Sequence, residues 1–479
     1  MSDVTLAGNL QMKCSGGVDR SHGATRALNT NKKKIDLAAV DDFRGMVKEL
    51  VKKAELREGL LADWASNLCV PGGLLTEPYI DPGSAAYDGI LWDWDSWWTN
   101  VALRQVAAEL GDASVADRLR AHERGCVLNF LRLCDDTGWI PLNVKSTISD
   151  LSEIRPQPPF DYNMHKPCLA QQAAFLVRAD DEDEWLRPVF GDLQRFLEAW
   201  LKHYRHGETG LLAWKAGCGV GVDNDPCSYF RPSGVCGSIY LNAVAVVEFR
   251  AAAWLARRFG DTAKADYWQN EAEALAEAVR QHCWDPWLGF YYSADLNLLP
   301  RDYFRKEADP IYREMHAGEP RTWDSLPMRI GVWSGFLALW AGIATDEQAE
   351  RMVAEHFWNT ATFRSHYGVR SLSKAEPFYR ITASGNPSCW LGPVWGISNY
   401  MIFRGLVRYG YEDDARWLAE TTVDLFARDW SAHGCLHEYY HPDSGEPVIN
   451  PGFRNWNLLV LNMLAWLEGR PAVAEFTAI

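Results

Sequence analysis

Ile239–Phe259, IYLNAVAVVEFRAAAWLARRF, is followed by Thr262–His282, TAKADYWQNEAEALAEAVRQH, and then by Gly289-Phe290-Tyr291. In both segments apolar residues recur at i, i+3, i+4 and i+7, the spacing of one face of a helix. Gly260-Asp261 separates the two segments, and glycine and aspartate are typical of a helix end and a helix start. The stretch therefore predicts a helical hairpin that is followed by a glycine and two aromatic residues.

The same mark, a glycine before two apolar or aromatic residues and after a helical stretch, recurs along the chain. The six marks begin, 65 to 79 residues apart, at Gly73, Gly138, Gly210, Gly289, Gly368 (a weaker case, Gly-Val-Arg) and Gly434. Two helical patterns lie between consecutive marks. Such repeats are longer than the usual periods of open solenoids, which favours a closed ring. The sequence predicts an all-α fold, an (α/α)6 toroid with six inner and six outer helices.

In such a ring every mark follows the second helix of a hairpin, so all six loops lie on one rim and line one funnel. Asp223 follows the third mark by 13 residues, and Glu438 follows the sixth mark by four. The fold therefore predicts that these two carboxylates, 215 residues apart in sequence, meet at the same mouth.

The domain organisation is predicted to be simple. Residues 1–37 are polar and include Lys32-Lys33-Lys34, which predicts a disordered N-terminal extension. Residues 38–479 are predicted to form a single barrel domain that carries the catalytic site. Two long irregular segments, 144–163 and 300–326, are predicted to be lids over the funnel, because long loops in compact domains are usually functional or mobile.

Composition narrows the partners and the compartment. The formal net charge of -15 argues against nucleic acid and anionic membranes as partners. Eleven scattered cysteines without a C-x-x-C pair indicate reduced thiols and a cytoplasmic location. The N-terminal residues lack the apolar core of a signal peptide, and no run of 18 apolar residues predicts a membrane span. A small sugar is the expected partner, and assembly into a homo-oligomer is left open.

The segment Trp92–Trp98, W-D-W-D-S-W-W, indicates a sugar site. An indole ring covers the apolar C–H face of a pyranose, and carboxylates accept hydrogen bonds from its hydroxyls. Asp93 is expected to cap a helix that begins near Asp95 rather than to bind substrate. Tryptophan makes up 23 of the 479 residues, more than a core requires, and about half of them are expected to be core.

Two loop carboxylates suit the hydrolysis of a glycosidic bond, which needs an acid to protonate the leaving oxygen and a base to act from the other face. Asp223 lies in Gly219–Pro226, a loop of small residues that a ligand can approach closely, and the nearby Trp214 could raise its pKa by desolvation. Asp225 is the rival acid, although Asp-Pro suits a turn or helix start. Glu438 is the predicted base.

Four motifs in the right order carry a resemblance to glycoside hydrolase family 63, from about Leu74 to Trp456. Trp92–Trp98 is similar to the trehalase-like Y-Y-W-D-S-Y-W motif, and Gly219–Pro226 resembles the S-G-x-D-N-S-P segment with the family's acid. His437–Tyr440 resembles the loop with the family's base, and Trp390–Trp395 resembles its W-R-G-P-V-W motif. The chain has no room for the extra β-sandwich of most members, so it is most similar to the short branch, the mannosylglycerate and glucosylglycerate hydrolases.

This resemblance implies an inverting α-glycosidase that splits a small glycerate glycoside into free sugar and glycerate. Asp223 would be the general acid and Glu438 the general base. The residues that the resemblance implies for sugar binding are Trp92, Trp94, Asp95, Gln157, Trp214, Gly221, Trp390 and Trp395. The family's short branch needs no metal in the chemical step, and the histidines and cysteines predict neither a metal site nor a cofactor.

The chain departs from the family where the aglycone would bind. Only Arg231-Pro232 stands in place of the longer R-P-T-x-x-x-Y lid, and Cys389 stands where a tyrosine would contact the aglycone. Arg231 and Arg454 are the candidate partners of a glycerate carboxylate, because a guanidinium can bind it with two parallel hydrogen bonds.

Other functions stay open at this point. A trehalase-like enzyme or an oligosaccharide α-glucosidase would use the same two carboxylates, although the Q-W-D-x-P-N-G-W-x-P stretch of trehalases is absent. A sugar epimerase on the same toroid would need a pair of inward histidines. A toroid that binds sugar without catalysis would not need both Asp223 and Glu438.

Overall fold

The structure is a computed structural model that describes residues 37–229, 231–300, 303, 310–311, 323–383 and 385–476. The predicted N-terminal extension, apart from Leu37, and most of the predicted lid 300–326 lie outside the described residues. The chain divides into two units, Met1–Lys48 and Glu49–Ile479. The described part of the first unit is the beginning of helix α1, and the second unit carries the barrel.

Twelve α-helices are described over their whole length. They are α1 (Leu37–Ala62), α2 (Asp93–Leu110), α3 (Ala113–Arg132), α4 (Leu169–Asp180), α5 (Phe190–Tyr204), α6 (Ile239–Arg258), α7 (Thr262–Cys283), α8 (Leu337–Trp340), α9 (Asp346–Arg351), α10 (Gly396–Arg408), α11 (Glu412–His433) and α12 (Val460–Leu467).

The even-numbered helices form a closed inner ring. Helix α2 packs against α4, α4 against α6, α6 against α8, α8 against α10, α10 against α12, and α12 against α2. The odd-numbered helices lie outside, where α7 covers α6 and α11 covers α10. The predicted ring of six helical hairpins is confirmed.

The fourth hairpin, α8 and α9, has shorter helices than the other hairpins. Its inner helix α8 continues a 3-10 turn at Trp333–Phe336, and its outer helix α9 continues into a π-helical turn at Met352–Phe357. A capping box at Thr345 starts α9, because the Thr345 hydroxyl accepts the N–H of Gln348 and the Gln348 side chain accepts the N–H of Thr345. The weaker mark at Gly368 belongs to this hairpin.

Each of the six glycine marks follows an outer helix, as the sequence predicts. All six glycines have positive φ values, between 56° and 124°. Residues other than glycine rarely adopt this region, because their Cβ atom clashes with the backbone. Gly434 is the clearest case, since it ends α11 in the left-handed conformation and donates its N–H to the carbonyl of Trp430. The marks therefore turn the chain along the rim after each outer helix, and Gly434 also ends its helix.

Short antiparallel strands line the rim. They are β1 (Leu68–Cys69), β2 (Tyr79–Ile80), β3 (Ile90–Trp92), β4 (Asn143–Lys145), β5 (Cys236–Gly237), β6 (Trp284–Asp285), β7 (Phe290–Tyr291), β8 (Ala294–Asp295), β9 (Leu326–Pro327), β10 (Arg364–Ser365), β11 (Gly368–Val369), β12 (Val394–Trp395) and β13 (Tyr439–Tyr440).

Three of these ribbons follow one rule. The strand that precedes an inner helix pairs with the strand that follows the next outer helix: β3 with β4, β5 with β8, and β12 with β13. Since β3, β5 and β12 lead into α2, α6 and α10, the N-terminal ends of these inner helices lie at the rim with the marks. Helix N-termini carry partial positive charge, which suits a rim that holds carboxylates.

Helix α6 shows how the sequence builds the inner ring. Ser238 caps its N-terminus by accepting the N–H of Leu241, and most of its side chains are buried. An 18-residue window of α6 has a mean hydropathy of 1.4, enough to cross a membrane by length and composition. Because 89% of that window is buried inside the fold, α6 is a core helix of the barrel.

Candidate active site

A cavity of about 270 Å³ opens at the rim where the inner helices α2, α10 and α12 begin. Eight of the twelve predicted site residues line it, and they come from hairpins that lie far apart in sequence. The complete lining is Tyr87, Trp92, Trp94, Asp95, Lys166, Cys218, Gly219, Gly221, Asp223, Asn386, Ser388, Trp390, Trp395, Glu438, Phe453 and Trp456.

Tryptophans form a continuous apolar wall of this cavity. Trp390 and Trp395 stack with their ring centroids 4.0 Å apart at 7°, and Trp94 lies against Trp456 at 4.9 Å and against Trp390 at 6.2 Å. Trp395 donates its indole N–H to the carbonyl of Cys389. The wall offers rigid ring faces and edges, which suit the C–H face of a sugar ring.

Three indole N–H groups in the same wall have no hydrogen-bond partner among the residues that the structure describes. They belong to Trp92, Trp390 and Trp456, and each of these nitrogens is buried. A buried unpaired donor costs roughly 1–3 kcal/mol, so a ligand that brings acceptor oxygens to this wall would recover part of that energy. Sugar hydroxyls are such acceptors.

Glu438 lies immediately before β13, and both of its carboxylate oxygens accept hydrogen bonds. Its Oε1 accepts the hydroxyl of Tyr87 at 3.1 Å and that of Ser388 at 3.4 Å, and its Oε2 accepts the amide of Asn450. Burial raises the pKa of Glu438 to about 6, although the bonds from Asn450 and Tyr87 lower it. The carboxylate is therefore fixed in position and still ionised at neutral pH.

Asp223 faces the cavity because of the residue that follows it. Asn224 adopts a positive φ of 51°, which asparagine tolerates, and its amide donates to the carbonyl of Ser388 and accepts the N–H of Trp390. Burial raises the pKa of Asp223, and hydrogen bonds from Asn386 and Ser388 together with the charge of Lys166 partly offset this. A raised pKa is the direction that a general acid needs.

Asp225, the rival acid, does not line the cavity. Its Oδ1 accepts the backbone N–H of Cys227 at 2.9 Å, and its side chain is buried behind the loop. Asp225 thus stabilises the turn that carries Asp223.

Ser388 joins the two cavity carboxylates. Its hydroxyl donates to Glu438 at 3.4 Å and also lowers the pKa of Asp223, and the Asp223 charge contributes to the raised pKa of Glu438. The two groups line the same cavity and are therefore close enough to act on one ligand.

Asp95 is the third carboxylate of the cavity. Asn455 donates to its Oδ1, and Thr99 in turn donates to the amide oxygen of Asn455 at 2.8 Å. Burial raises the pKa of Asp95 to about 7, with a further contribution from Asp93, while Lys166 and Asn455 lower it.

Lys166 and Asp93 form a buried ion pair beneath the cavity that the sequence analysis missed. The Lys166 ammonium donates to both Asp93 oxygens, at 2.8 and 2.9 Å, and lies 5.8 Å from the Trp94 ring centroid. Helix α2 begins at Asp93, two residues earlier than predicted, with Trp92 as its N-cap. Asp93 is thus the first helical residue and the partner of Lys166, rather than a cap before Asp95.

Gly221 leaves room for this lysine. A Cβ at residue 221 would lie 2.6 Å from Cε of Lys166 and 3.1 Å from the Trp94 ring, and the φ of Gly221 is 85°. The acid loop can therefore pass over Lys166 and Trp94 only with glycine at this position.

Two residues predicted to bind sugar are not brought to the cavity. Gln157 is exposed, and its neighbour Pro156 lines an adjoining cavity of about 270 Å³ that shares Cys218 and Gly219 with the first. Trp214 is buried in the core behind the wall, where its ring stacks on Tyr240. Gln157 and Lys166 belong to the same long connection between β4 and α4. Lys166, near the end of this connection, is the residue that lines the cavity.

The two predicted glycerate partners are also elsewhere, because each arginine already has a carboxylate. Arg231 pairs with Asp295, and Arg454 pairs with Asp63. Among the residues that the structure describes, Lys166 is the one cationic side chain that lines the cavity.

Sequence reasoning also missed polar and aromatic lining residues outside the four motifs. They are Tyr87, Lys166, Asn386, Ser388, Phe453 and Trp456. Tyr87 stands five residues before Trp92, and Trp456 ends the matched stretch, so their proximity to motifs was a usable signal. Asn386 and Ser388 lie just before Trp390, but small polar residues in a loop carry no pattern of their own.

A larger cleft, of about 830 Å³, lies away from these residues. Its arginines are paired with its own carboxylates: Arg124 with Glu182 at 2.7 Å, and Arg187 and Arg258 with Asp183 at 3.0 and 2.9 Å. Since each arginine of this cleft is already paired, size alone does not make the cleft the site.

Comparison with known proteins agrees with the geometry. A family model described as the mannosylglycerate hydrolase MGH1-like glycoside hydrolase domain matches residues 87–456. The chain is 31% identical to mannosylglycerate hydrolase MGH2 of Selaginella moellendorffii over 137 residues, 28% of this chain and 24% of that protein. It is 30% identical to the cytosolic neutral trehalase of Kluyveromyces lactis over 180 residues, 37% of this chain and 20% of that protein.

These matched regions span about a quarter or less of the two relatives. A solved structure extends the similarity to nearly the whole barrel. The family 63 mannosylglycerate hydrolase of Thermus thermophilus, in complex with glucose, superimposes with a TM-score of 0.59 and 22% identity. The superposition covers 85% of this chain and 98% of that one, and it shows a shared fold.

Proposed function

Because the chain belongs to the mannosylglycerate hydrolase MGH1-like glycoside hydrolase family, we propose that it hydrolyses a small α-glycoside of glycerate with inversion. The substrate would be mannosylglycerate, glucosylglycerate or both, and the products free sugar and glycerate. The resemblance to family 63 that the four motifs predict is confirmed.

The observation that carries this proposal is the pair of carboxylates, the partly buried Asp223 and the buried Glu438, on one tryptophan-walled cavity. In the proposed reaction Asp223 protonates the glycosidic oxygen as the C1–O bond breaks. Glu438 removes a proton from a water that attacks C1 from the opposite face, and the water oxygen stays on the sugar. Asp223 is then deprotonated and Glu438 protonated, the reverse of their starting states. The configuration of the anomeric carbon is inverted.

The polar groups of the cavity support a sugar rather than an apolar ligand. Asp95 accepts hydrogen bonds, and Lys166 has a third ammonium proton besides the two donated to Asp93. Together with the indole N–H groups of Trp92, Trp390 and Trp456, they offer both donors and acceptors around an apolar wall.

One observation favours a second candidate, a trehalase-like hydrolysis of a neutral disaccharide. The charge of Lys166 is already paired with Asp93, and neither Arg231 nor Arg454 is directed to the cavity. A neutral aglycone would need no unpaired cation. The sugar epimerase alternative has less support, because no histidine is among the residues described on the cavity wall.

The free thiols support a cytoplasmic location as part of the proposal. All ten cysteines in the described part of the chain are free, and six of them are buried. Such a set is typical of proteins in reducing compartments.

The test is a release assay on mannosylglycerate, glucosylglycerate and trehalose, with NMR detection of the first-formed anomer. We expect release from a glycerate glycoside, with the β-anomer of the sugar appearing first. Early appearance of the α-anomer would contradict the acid–base assignment. Release from trehalose alone would replace the glycerate glycoside with the second candidate, and inactivity on all three would argue against both.

Lys166 offers a separate test of sugar binding. Lys166→Met is expected to raise KM by about 10- to 100-fold, since a hydrogen bond to a charged group contributes roughly 1.5–3 kcal/mol. The single substitution also leaves the Asp93 charge buried and unpaired, which can destabilise the fold. The double variant Asp93→Asn/Lys166→Met removes both charges, so its KM reports the loss of Lys166 without an unpaired buried charge. Lys145→Met, at an exposed lysine of β4, is the control and should match the parent protein. A double variant with unchanged KM and normal thermal stability would remove Lys166 from the binding site.

A further inference from the structure

A cluster of two histidines and an aspartate lies beside the base, outside the cavity lining. Asp429 and His433 are on the last turns of α11, and His437 follows the helix end at Gly434. His433 Nδ1 is 2.8 Å from Asp429 Oδ1, and His437 Nδ1 is 3.0 Å from Asp429 Oδ2. We call these three residues the Asp429 cluster.

The sequence contains a signal for this cluster that the prediction of no metal site overlooked. His433 and His437 are four residues apart, and Asp429 stands four residues before His433. The left-handed turn at Gly434, with φ 68°, redirects the chain so that His437 comes back over the last helical turn. Its ring centroid lies 5.2 Å from that of His433.

The cluster has the arrangement of a three-ligand metal site. Its ligand atoms all lie within 4.8 Å of one another. A tetrahedral zinc with bonds of about 2.0–2.1 Å places its ligand atoms roughly 3.3 Å apart, close to the distances between the carboxylate and the imidazoles. The side chain of His433 is 45% exposed, so water can reach the cluster and complete the coordination.

The surroundings of the aspartate favour a cation. The hydroxyl of Tyr440 and the backbone N–H of His437 both donate to Asp429 Oδ2, at 2.7 and 3.1 Å. Such outer hydrogen bonds orient a ligating carboxylate. The cluster also lies at the C-terminal end of a 22-residue helix, where the helix dipole attracts positive charge.

We propose that the Asp429 cluster binds a divalent transition-metal ion of the zinc type through Nδ1 of both histidines and one carboxylate oxygen. Imidazole and carboxylate ligands suit zinc, cobalt and nickel. The ion takes no part in the hydrolysis, because the cluster does not line the cavity. It ties the end of α11 to the residue before Glu438, so its effect is on stability.

The experiment uses the full chain after treatment with a chelator and dialysis. Calorimetric titration with zinc chloride should give one ion per chain, and zinc should raise the Tm. Cobalt(II) should produce the visible absorption of a tetrahedral complex, which zinc then displaces. His433→Ala should weaken zinc binding by at least about tenfold, because it removes one of three protein ligands, while leaving the Tm of the metal-free protein nearly unchanged.

His366→Ala removes an exposed histidine outside the cluster and is the matched control. It should bind zinc like the parent protein. Equal zinc affinity in His433→Ala and the parent, or no saturable binding in the parent, would show that the three side chains only hydrogen-bond with one another. Neither result depends on which glycoside the enzyme cleaves.

Discussion

Glu438→Ala is expected to lower kcat for the natural glycoside by about 10²–10⁴-fold with little change in KM, because a general base acts mainly in the transition state. The loss should be as severe on a glycosyl fluoride, whose leaving group needs no protonation, since water still lacks a base. Azide should restore turnover of the fluoride, because an anionic nucleophile needs no deprotonation. The product of an α-substrate would then be the β-glycosyl azide.

Glu446→Ala is the control for this variant. It truncates an exposed carboxylate on the same loop, eight residues beyond Glu438, and should leave kcat unchanged. Wild-type kcat in Glu438→Ala would exclude Glu438 as the base. An α-glycosyl azide from azide rescue would indicate attack from the leaving-group side and would exclude inversion.

Asp223→Ala is expected to show the opposite dependence on the leaving group. We expect a loss of about 10²–10⁴-fold on the natural glycoside, whose alkoxide leaving group requires a proton, and a much smaller loss on the glycosyl fluoride. Steady-state kinetics on both substrates measure the difference. The acid loop should remain folded, because Asn224, rather than Asp223, anchors it to Ser388 and Trp390.

Asp225→Asn provides the comparison within the same loop. The asparagine oxygen can still accept the N–H of Cys227, so this variant should keep the loop intact and retain most activity on both substrates. If Asp225→Asn shows the leaving-group effect and Asp223→Ala does not, the general acid is Asp225 and the assignment to Asp223 is wrong.

Local sequence patterns were enough to predict the ring. The glycine marks follow the outer helices at regular intervals, and amphipathic spacing identifies the helices between them, so both signals are local in sequence. The fourth hairpin was less regular because its helices α8 and α9 are short and merge into 3-10 and π turns. Closure then brings Asp223 and Glu438 to one rim without any further signal.

Side-chain pairings across the ring could not be predicted in the same way. Lys166 lies 73 residues from its partner Asp93, and nothing in either local sequence refers to the other. Arg231 and Arg454 look unpaired in the sequence, yet Asp295 and Asp63 neutralise them in the fold. A motif can indicate which residue types a site needs. The ion-pair partner that neutralises a charged side chain is known only from the tertiary structure.

The closure of the inner ring by α12 on α2 has a consequence for biosynthesis. Asp95 depends on Asn455, which lies 360 residues later, and Tyr87 reaches Glu438 across 351 residues. A ribosome therefore releases nearly the whole chain before the first carboxylate of the cavity has its partner. Until then the part of α2 that packs on Asn455–Leu459 and α12 is uncovered, and a nascent or prematurely terminated chain exposes it to aggregation and to chaperones. A chain that ends before Asn455 should therefore lack both the partner of Asp95 and the helix that closes the ring.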